Sequence, residues 1–216
     1  VAFFKGFGAF AEKIVLPAQM AFPIPESFPF HIAAGVFMVY GTSYHALVQR
    51  AGINKDDEVL VLGAAGGVGL AAVDIAKSFG ARVVAAVSTK EKAEVCAGYG
   101  VDDVVVYGEE KLNKEGQKAF TKELKSKSVR GGFSIIYDPI GDCFAEPALR
   151  SIGWGGTYLV VGFAAGKIPS FPTNLMLLKG CAVSGVFIGR FQQEEPEQNA
   201  QNLKEIGGLL RGEKLT

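Results

Sequence analysis

A glycine-rich turn is the part of this 216-residue sequence whose residue types and spacing best suit chemistry. The apolar run at residues 59–62 breaks at Gly63, and more glycines follow where a helical pattern begins. Small residues let a pyrophosphate approach the main chain, and a helix N-terminus offers N–H donors with a partial positive charge. The predicted phosphate cradle is the backbone of Ala65, Gly66, Gly67 and Val68. The alternative is a tight packing turn without a ligand.

The second candidate position follows the next predicted strand, residues 82–88. An NAD site carries Asp or Glu there, which holds the ribose 2′-hydroxyl. This sequence has Ser88 instead, followed by Thr89, Lys90 and Lys92. Hydroxyl and ammonium groups attract a 2′-phosphate that a carboxylate would repel, so the sequence favours NADP(H) over NAD(H). Taken singly, each lysine also fits an ordinary solvated helix face.

Other strand ends carry weaker signals. Glycine at a strand end would let the backbone approach a flat nicotinamide ring, but it is also common without a ligand. The residues concerned are Val161, Gly162 and Phe163 after one strand and Gly185, Val186 and Phe187 after another. Tyr107 either supplies a hydroxyl or packs as a strand aromatic. Asp138, which precedes a proline, either caps its strand end or bonds the ribose.

Composition narrows the class of protein. Apolar residues make up 49%, and 22 Lys and Arg side chains balance 22 Asp and Glu side chains, which argues against nucleic acid as the main partner. No apolar run is long enough to span a bilayer. Cys96, Cys143 and Cys181 are far apart, so we expect no zinc site and a reducing intracellular compartment, cytoplasmic or mitochondrial. His45 lies in a helical pattern and is interpreted as structural.

Strands and helices alternate from the glycine turn onwards. The predicted strands are residues 59–62, 82–88, 103–107, 133–138, 156–162 and 181–187. The predicted helices are residues 70–80, 88–97, 109–128, 142–152 and 196–211. Strands that are apolar throughout indicate burial on both faces, hence a parallel sheet covered by helices. The prediction is an α/β fold with a doubly wound parallel sheet of the Rossmann type.

Several local features are also predicted. Residues 88–91 match a capping box, and Asp142 is a candidate helix cap. Pro147 lies deep in the helix at 142–152, so we expect a distorted first turn or a later start. A helix is expected between His31 and Ala51, interrupted at Gly41 and Thr42. Residues 8–16 are expected to form a strand.

These features together resemble the quinone oxidoreductase, or zeta-crystallin-like, branch of the medium-chain dehydrogenase/reductase superfamily. The matching segments run in order along essentially the whole chain: residues 8–12, 41–47, 63–73, 80–81, Lys92, Tyr107, 138–141, 160–163, 178–180 and 185–187. The resemblance implies NADPH as cofactor, with Lys92 and Ser88 near the 2′-phosphate and Tyr107 beside the adenosine. It also places Thr42 at the nicotinamide end, where the loops at residues 162 and 185 line the ring.

The resemblance further implies hydride transfer to a quinone or a related α,β-unsaturated carbonyl, without zinc. Residues 1–29 would be a remnant of a barrel-like catalytic domain, and residues 30–216 a truncated NADP-binding domain. The sequence begins with Val1-Ala-Phe-Phe and no Met, so we expect a longer protein and a poorly active isolated chain. Relatives often pair as homodimers through the last strand, here residues 181–187. Enoyl-thioester reduction and a non-catalytic nucleotide-binding or structural module remain open alternatives.

Overall fold

In the part of the chain that the structure describes, six parallel strands form the main sheet. The computed structural model describes residues 2–3, 8–18, 21–24, 26, 28–211 and 215. The strands of this sheet are β3 Glu58–Leu62, β4 Arg82–Val87, β5 Asp103–Val106, β6 Phe133–Asp138, β7 Ile152–Val160 and β8 Ala182–Gly185. Their order is β5-β4-β3-β6-β7-β8. This order confirms the predicted doubly wound sheet, because the chain runs outward from β3 in one direction and then returns to continue in the other.

Helices cover both faces of this sheet. They are α1 Phe30–Tyr44, α2 Gly67–Ser78, α3 Lys90–Gly98, α4 Lys114–Lys127, α5 Asp142–Ser151, α6 Thr173–Lys179, α7 Ile188–Glu194 and α8 Pro196–Arg211. Alternate side chains of each strand enter different cores. Val59 and Val61 of β3 pack with residues of α1 and α2, whereas Leu60 and Leu62 pack with α4 and α5. Burial on both faces explains why the strands have no polar face.

The carboxyl ends of the strands meet at one edge of the sheet. In the centre, Val61 of β3 is level with Ala85 of β4 and with Tyr137 of β6. On the other side of β6, Val160 of β7 is level with Gly185 of β8. The loops that follow these strands therefore lie together, which is where open parallel sheets bind ligands.

The region before the sheet differs from its prediction. Residues 8–16 form no strand; instead β1 Ala2–Phe3 pairs antiparallel with β2 Ala21–Phe22. Val1, Phe4 and Pro25 lie outside the described residues. The predicted interruption at Gly41 and Thr42 is wrong, because α1 continues to Tyr44 and passes into a π-helix, His45–Arg50. A single glycine in a helix costs only about 1 kcal/mol, which tertiary packing overrides.

Two predicted caps are shifted. Thr89, not Ser88, caps α3, and its Oγ1 accepts a hydrogen bond from Lys92 N at 3.3 Å. Gly141 precedes α5, so Asp142 is its first residue rather than its cap. Asp142 has φ 52°, which gives the distorted first turn that was expected; Pro147 lies inside the helix and does not delay its start.

No helix in the described parts of the chain is both long and apolar enough to cross a bilayer. Cys96, Cys143 and Cys181 are all free thiols.

Candidate dinucleotide-binding site

The glycine turn joins β3 to α2 at the carboxyl edge of the sheet. Gly63 has φ 57°, and its carbonyl accepts a hydrogen bond from Gly66 N at 3.0 Å. Gly66 has an extended backbone and precedes α2 without any side-chain cap. The first N–H groups of a helix have no intrahelical acceptor. Those of Gly67 and Val68 therefore suit an anion, whereas the N–H of Gly66, a predicted cradle residue, is already engaged within the turn.

Only glycine fits where α2 packs on the turn. A Cβ on Gly69 would lie 2.4 Å from Gly63 O and 2.8 Å from Ala64 Cα. Gly66 and Gly67 are exposed, and Ala65 is half-buried beside them. The four predicted cradle residues thus form one continuous surface that contains no side chain larger than valine. A diphosphate can reach the main chain there.

A buried hydrogen-bond chain supports this turn from below, and the sequence analysis did not identify it. Ser43 Oγ in α1 donates to Val68 O at 2.8 Å and lies 2.8 Å from the hydroxyl of Tyr137 in β6. Because a serine has one proton and a carbonyl only accepts, Tyr137 must donate to Ser43 Oγ. Burial raises the pKa of Tyr137, which keeps this donor protonated. The sequence feature that could have indicated Ser43 is its spacing from Tyr40 and Leu47, which places it on the same buried face of the helix.

The predicted 2′-phosphate residues lie together after β4. Lys92 Nζ donates to Ser88 Oγ at 2.7 Å, and Lys92 is exposed. Ala64 N donates to Ala86 O at 3.2 Å, which joins the glycine turn to the end of β4. The ammonium group of Lys92, which belongs to α3, therefore lies beside the end of β4, at the same edge of the sheet as the predicted phosphate cradle.

Tyr107 follows β5 and packs as an aromatic. Its ring centroid lies 4.6 Å from that of Phe144 and 5.6 Å from that of Phe120. Burial, followed by the charge of Asp138, raises the pKa of Tyr107 to about 12. An open groove lined by residues 107–113 and 116 adjoins this ring. Of the two roles considered for Tyr107, the packing role is the one that the contacts favour.

Asp138 ties together the loops that follow β6 and β7. Its Oδ1 accepts hydrogen bonds from Ile140 N and Gly141 N, both at 2.8 Å, and its Oδ2 accepts one from the Tyr158 hydroxyl at 2.6 Å. Its carbonyl accepts from the N–H of Val161 at 2.9 Å. Burial raises the pKa of Asp138. The carboxylate therefore caps its own strand end, which was one of the two roles considered for it.

The predicted nicotinamide-end residues differ in what they offer. The N–H groups of Val161 and Gly162 donate to Asp138 O, and that of Val186 donates to Val160 O. They are therefore not available as donors to a ligand. Gly162 lies against Pro139 O, where its Cβ would come within 3.1 Å. These residues differ in exposure: Val186 is buried, whereas Gly185, Phe163 and Phe187 are exposed.

Thr42 is buried in α1, and its hydroxyl donates to Met38 O at 2.6 Å. The proposed orienting role of Thr42 would therefore depend on its oxygen as an acceptor, because its proton is engaged within the helix.

His45 stacks on Phe191 at 3.8 Å, its Nδ1 lies 3.3 Å from Gln49 Oε1, and burial lowers its pKa. These contacts agree with the structural role predicted for His45. The described residues contain no group of His, Cys, Asp and Glu placed to hold a metal ion.

Similarity to known proteins shows the family of the chain. Residues 67–205 match the family described as zinc-binding dehydrogenase. Over 191 residues the chain is 36% identical to a quinone oxidoreductase-like protein 2 homolog of Nematostella vectensis, covering 88% of this chain and 50% of that protein. The chain belongs to the quinone oxidoreductase-like branch of the medium-chain dehydrogenase/reductase superfamily.

Solved structures related to this quinone oxidoreductase-like chain include two NADPH complexes. A mycobacterial protein complexed with NADPH matches with a TM-score of 0.83 and 25% identity, over 93% of this chain and 60% of that one. The quinone oxidoreductase of Thermus thermophilus, also solved with NADPH, matches with a TM-score of 0.77 and 28% identity, over 99% and 64%. The chain thus spans about half the length of the curated relative and under two thirds of these structures.

Proposed function

We propose that this chain is the NADPH-binding domain of an oxidoreductase that transfers hydride to a quinone or a related α,β-unsaturated carbonyl without zinc. The observation that carries the choice of NADPH is the pair formed by Lys92 and Ser88, 2.7 Å apart at the end of β4. The family of the chain supports the proposed hydride transfer. No carboxylate follows β4 directly, where an NAD site would need one. The relatives solved with NADPH support the same choice of cofactor.

The donors present fit such a cofactor. The turn at residues 65–68 offers the main-chain N–H groups of Gly67 and Val68 and the positive end of α2 to the pyrophosphate. Lys92 offers a charge-assisted hydrogen bond to a 2′-phosphate, and Ser88 offers a hydroxyl beside it. The adenosine would lie towards Tyr107. The nicotinamide would lie towards the loops of residues 161–163 and 185–187, with Thr42 near that end.

Once bound, NADPH would supply the hydride, so no protein nucleophile is needed. The residues of this chain would bind the cofactor, orient it and shield one face of the ring. We propose that residues 1–29 belong to a catalytic domain whose remainder shapes the acceptor pocket, and that residues 30–216 form the cofactor domain. Without that remainder, the chain should bind NADPH weakly and reduce acceptors poorly.

Titration of the chain with NADPH and with NADH, before and after Lys92→Ala, tests the proposal. Loss of the charged hydrogen bond should weaken NADPH binding by about 1.5–3 kcal/mol and leave NADH binding nearly unchanged. Lys122→Ala, which removes an exposed lysine from α4, is the matched control and should change neither affinity. Equal weakening of both nucleotides by Lys92→Ala would contradict the assigned role.

The acceptor is tested on the full-length protein with a panel of quinones, enones and enoyl thioesters. Oxidation of NADPH with quinones supports the proposal. A preference for enoyl thioesters would favour that reaction of the same superfamily, and NADPH binding without turnover would favour a non-catalytic or structural module.

We also propose that two copies pair through the outer edge of β8. Among the residues that the structure describes, β8 pairs with β7 alone, so its other edge is open in that part of the chain. The side chains of Trp154 and Leu177, which are 83% and 81% exposed, add apolar surface near that side of the sheet. Sedimentation of the full-length protein should give a dimer. Val183→Pro should reduce it to a monomer, because N–H groups alternate along a strand and that of Val186 points to β7, so that of Val183 points to the outer edge. A dimer unaffected by that substitution would rule out this edge.

A further inference from the structure

We propose that Asp138 is a positioning residue that holds the loops after β6 and β7 as one unit at the nicotinamide end of the cofactor. The inference rests on the proposed function for the identity of the ligand. The hydrogen bonds that support the positioning role are contacts within the protein. Asp138 is 1% exposed, and both its side chain and its carbonyl accept hydrogen bonds from main-chain N–H groups.

The two loops depend on Asp138 through different atoms. The carboxylate holds the loop after β6 by the N–H groups of Ile140 and Gly141, each at 2.8 Å. The carbonyl of the same residue holds the loop after β7 by the N–H groups of Val161 and Gly162, at 2.9 and 3.3 Å. A shift of Asp138 would therefore move both loops at once.

The bend after β6 needs this support. Gly141 has φ 65° and Asp142 has φ 52°, so a residue with a Cβ occupies the left-handed region directly after a glycine that does the same. The bend is held by Asp138 at Gly141 N and by Lys167 O at Asp142 N, the latter at 3.0 Å. A Cβ on Gly141 would lie 3.1 Å from the Phe163 ring, so the two loops are also in contact.

Tyr158 completes the arrangement. Its buried hydroxyl donates to Asp138 Oδ2 at 2.6 Å, and its next acceptor, Ala145 O, lies 3.5 Å away. Three donors thus surround a carboxylate whose burial would otherwise be costly. An amide at this position could not accept the Tyr158 proton with its NH2 group, so Asp138→Asn would retain the shape of the side chain but disrupt this hydrogen bond.

The test compares NADPH with 2′,5′-ADP, which carries the adenosine and the 2′-phosphate but no nicotinamide. Asp138→Asn should weaken NADPH binding about tenfold and change 2′,5′-ADP binding less than about twofold, since only the nicotinamide end is displaced. Tyr158→Phe, which leaves the carboxylate and both main-chain bonds in place, should give a smaller loss in the same direction. It also serves if the first variant does not fold.

Glu58→Gln is the matched control. Glu58 is likewise 1% exposed and holds a loop by main-chain N–H groups, those of Val129 and Arg130, but at the opposite edge of the sheet. It should lower stability without changing the ratio of the two affinities. An equal loss for both ligands in Asp138→Asn would overturn the proposal, and so would a change in the ratio of the two affinities in Glu58→Gln as large as that in Asp138→Asn.

Amide hydrogen exchange decides the question even if the wild-type chain binds neither ligand, a result that would count against the proposed function alone. In Asp138→Asn, exchange at Val161 and Gly162 should quicken relative to the amides of β3, although their acceptor is the unchanged main-chain carbonyl. Unaltered protection at these two amides would show that the side chain does not couple the loops.

Discussion

Ser43→Ala should destabilise the fold out of proportion to the single oxygen atom that it removes. Ser43 and Tyr137 have no exposed surface, and their hydroxyls lie 2.8 Å apart. The substitution breaks the bond to Val68 O, which costs about 1 kcal/mol, and leaves the Tyr137 hydroxyl buried without its acceptor, which costs about 1–2 kcal/mol more. We therefore expect the free energy of unfolding to fall by about 2–3 kcal/mol.

A double-mutant cycle separates these contributions. Tyr137→Phe alone should cost about 1 kcal/mol, because Ser43 still donates to Val68 O. In the Tyr137→Phe background there is no hydroxyl at residue 137 that could lose its acceptor, so Ser43→Ala should cost only about 1 kcal/mol. The expected coupling between the two residues is then about 1–2 kcal/mol.

Urea unfolding followed by far-ultraviolet circular dichroism measures the cycle. The single tryptophan, Trp154, is 83% exposed and is therefore a poor fluorescence reporter. Ser126→Ala is the control: its exposed hydroxyl donates to Glu123 O, and its loss should change stability by less than about 0.5 kcal/mol. Effects of Ser43→Ala and Tyr137→Phe that simply add would refute the shared hydrogen-bond chain.

Two further predictions concern packing and pH. Gly69→Ala should lower the free energy of unfolding by about 1–3 kcal/mol in urea titrations, because its Cβ would overlap the backbone of the glycine turn. Gly98 has open space around it, so Gly98→Ala should be tolerated. Equal effects of the two substitutions would contradict this prediction. The burial that lowers the pKa of His45 below its ordinary 6.5 means that the unfolded chain binds the proton more tightly, so stability should fall as pH drops through 6.5 towards the folded pKa. In urea midpoints measured across that range, His45→Gln should flatten the slope, and an unchanged slope would assign it to other groups.

Local patterns predicted much of the fold and part of the candidate site. The strands are continuous apolar runs, and the turn at residues 63–69 consists of small residues in sequence, so both could be identified within a short window. Ser88 and Lys92 are four residues apart, close enough for the same local reasoning. The seven-residue helices α6 and α7 were not predicted, because so few residues define no clear period.

Residues that act across long distances in the chain were beyond such reasoning. Ser43 and Tyr137 are 94 residues apart, and their pairing depends on how α1 crosses the sheet. Asp138 was recognised as polar at a strand end, but its partner Tyr158 lies on the next strand, 20 residues away. The misplaced cap of α3 has a different cause, since Ser88 and Thr89 are adjacent residues of the same capping type, and residue type alone does not distinguish them.

The strand order of the sheet also bears on how the chain folds as it is synthesised. Glu58 at the start of β3 meets Arg82 of β4 only 24 residues later, but meets Ser134 of β6 after 76 residues. Closing the longer loop costs about 1 kcal/mol more in chain entropy. At ribosomal rates of about 5–20 residues per second, the second edge of β3 stays unpaired for several seconds after β4 has emerged. During that interval the valine- and leucine-rich edge of β3 is open to pairing with other nascent chains. Binding of a chaperone at that stage would prevent such pairing.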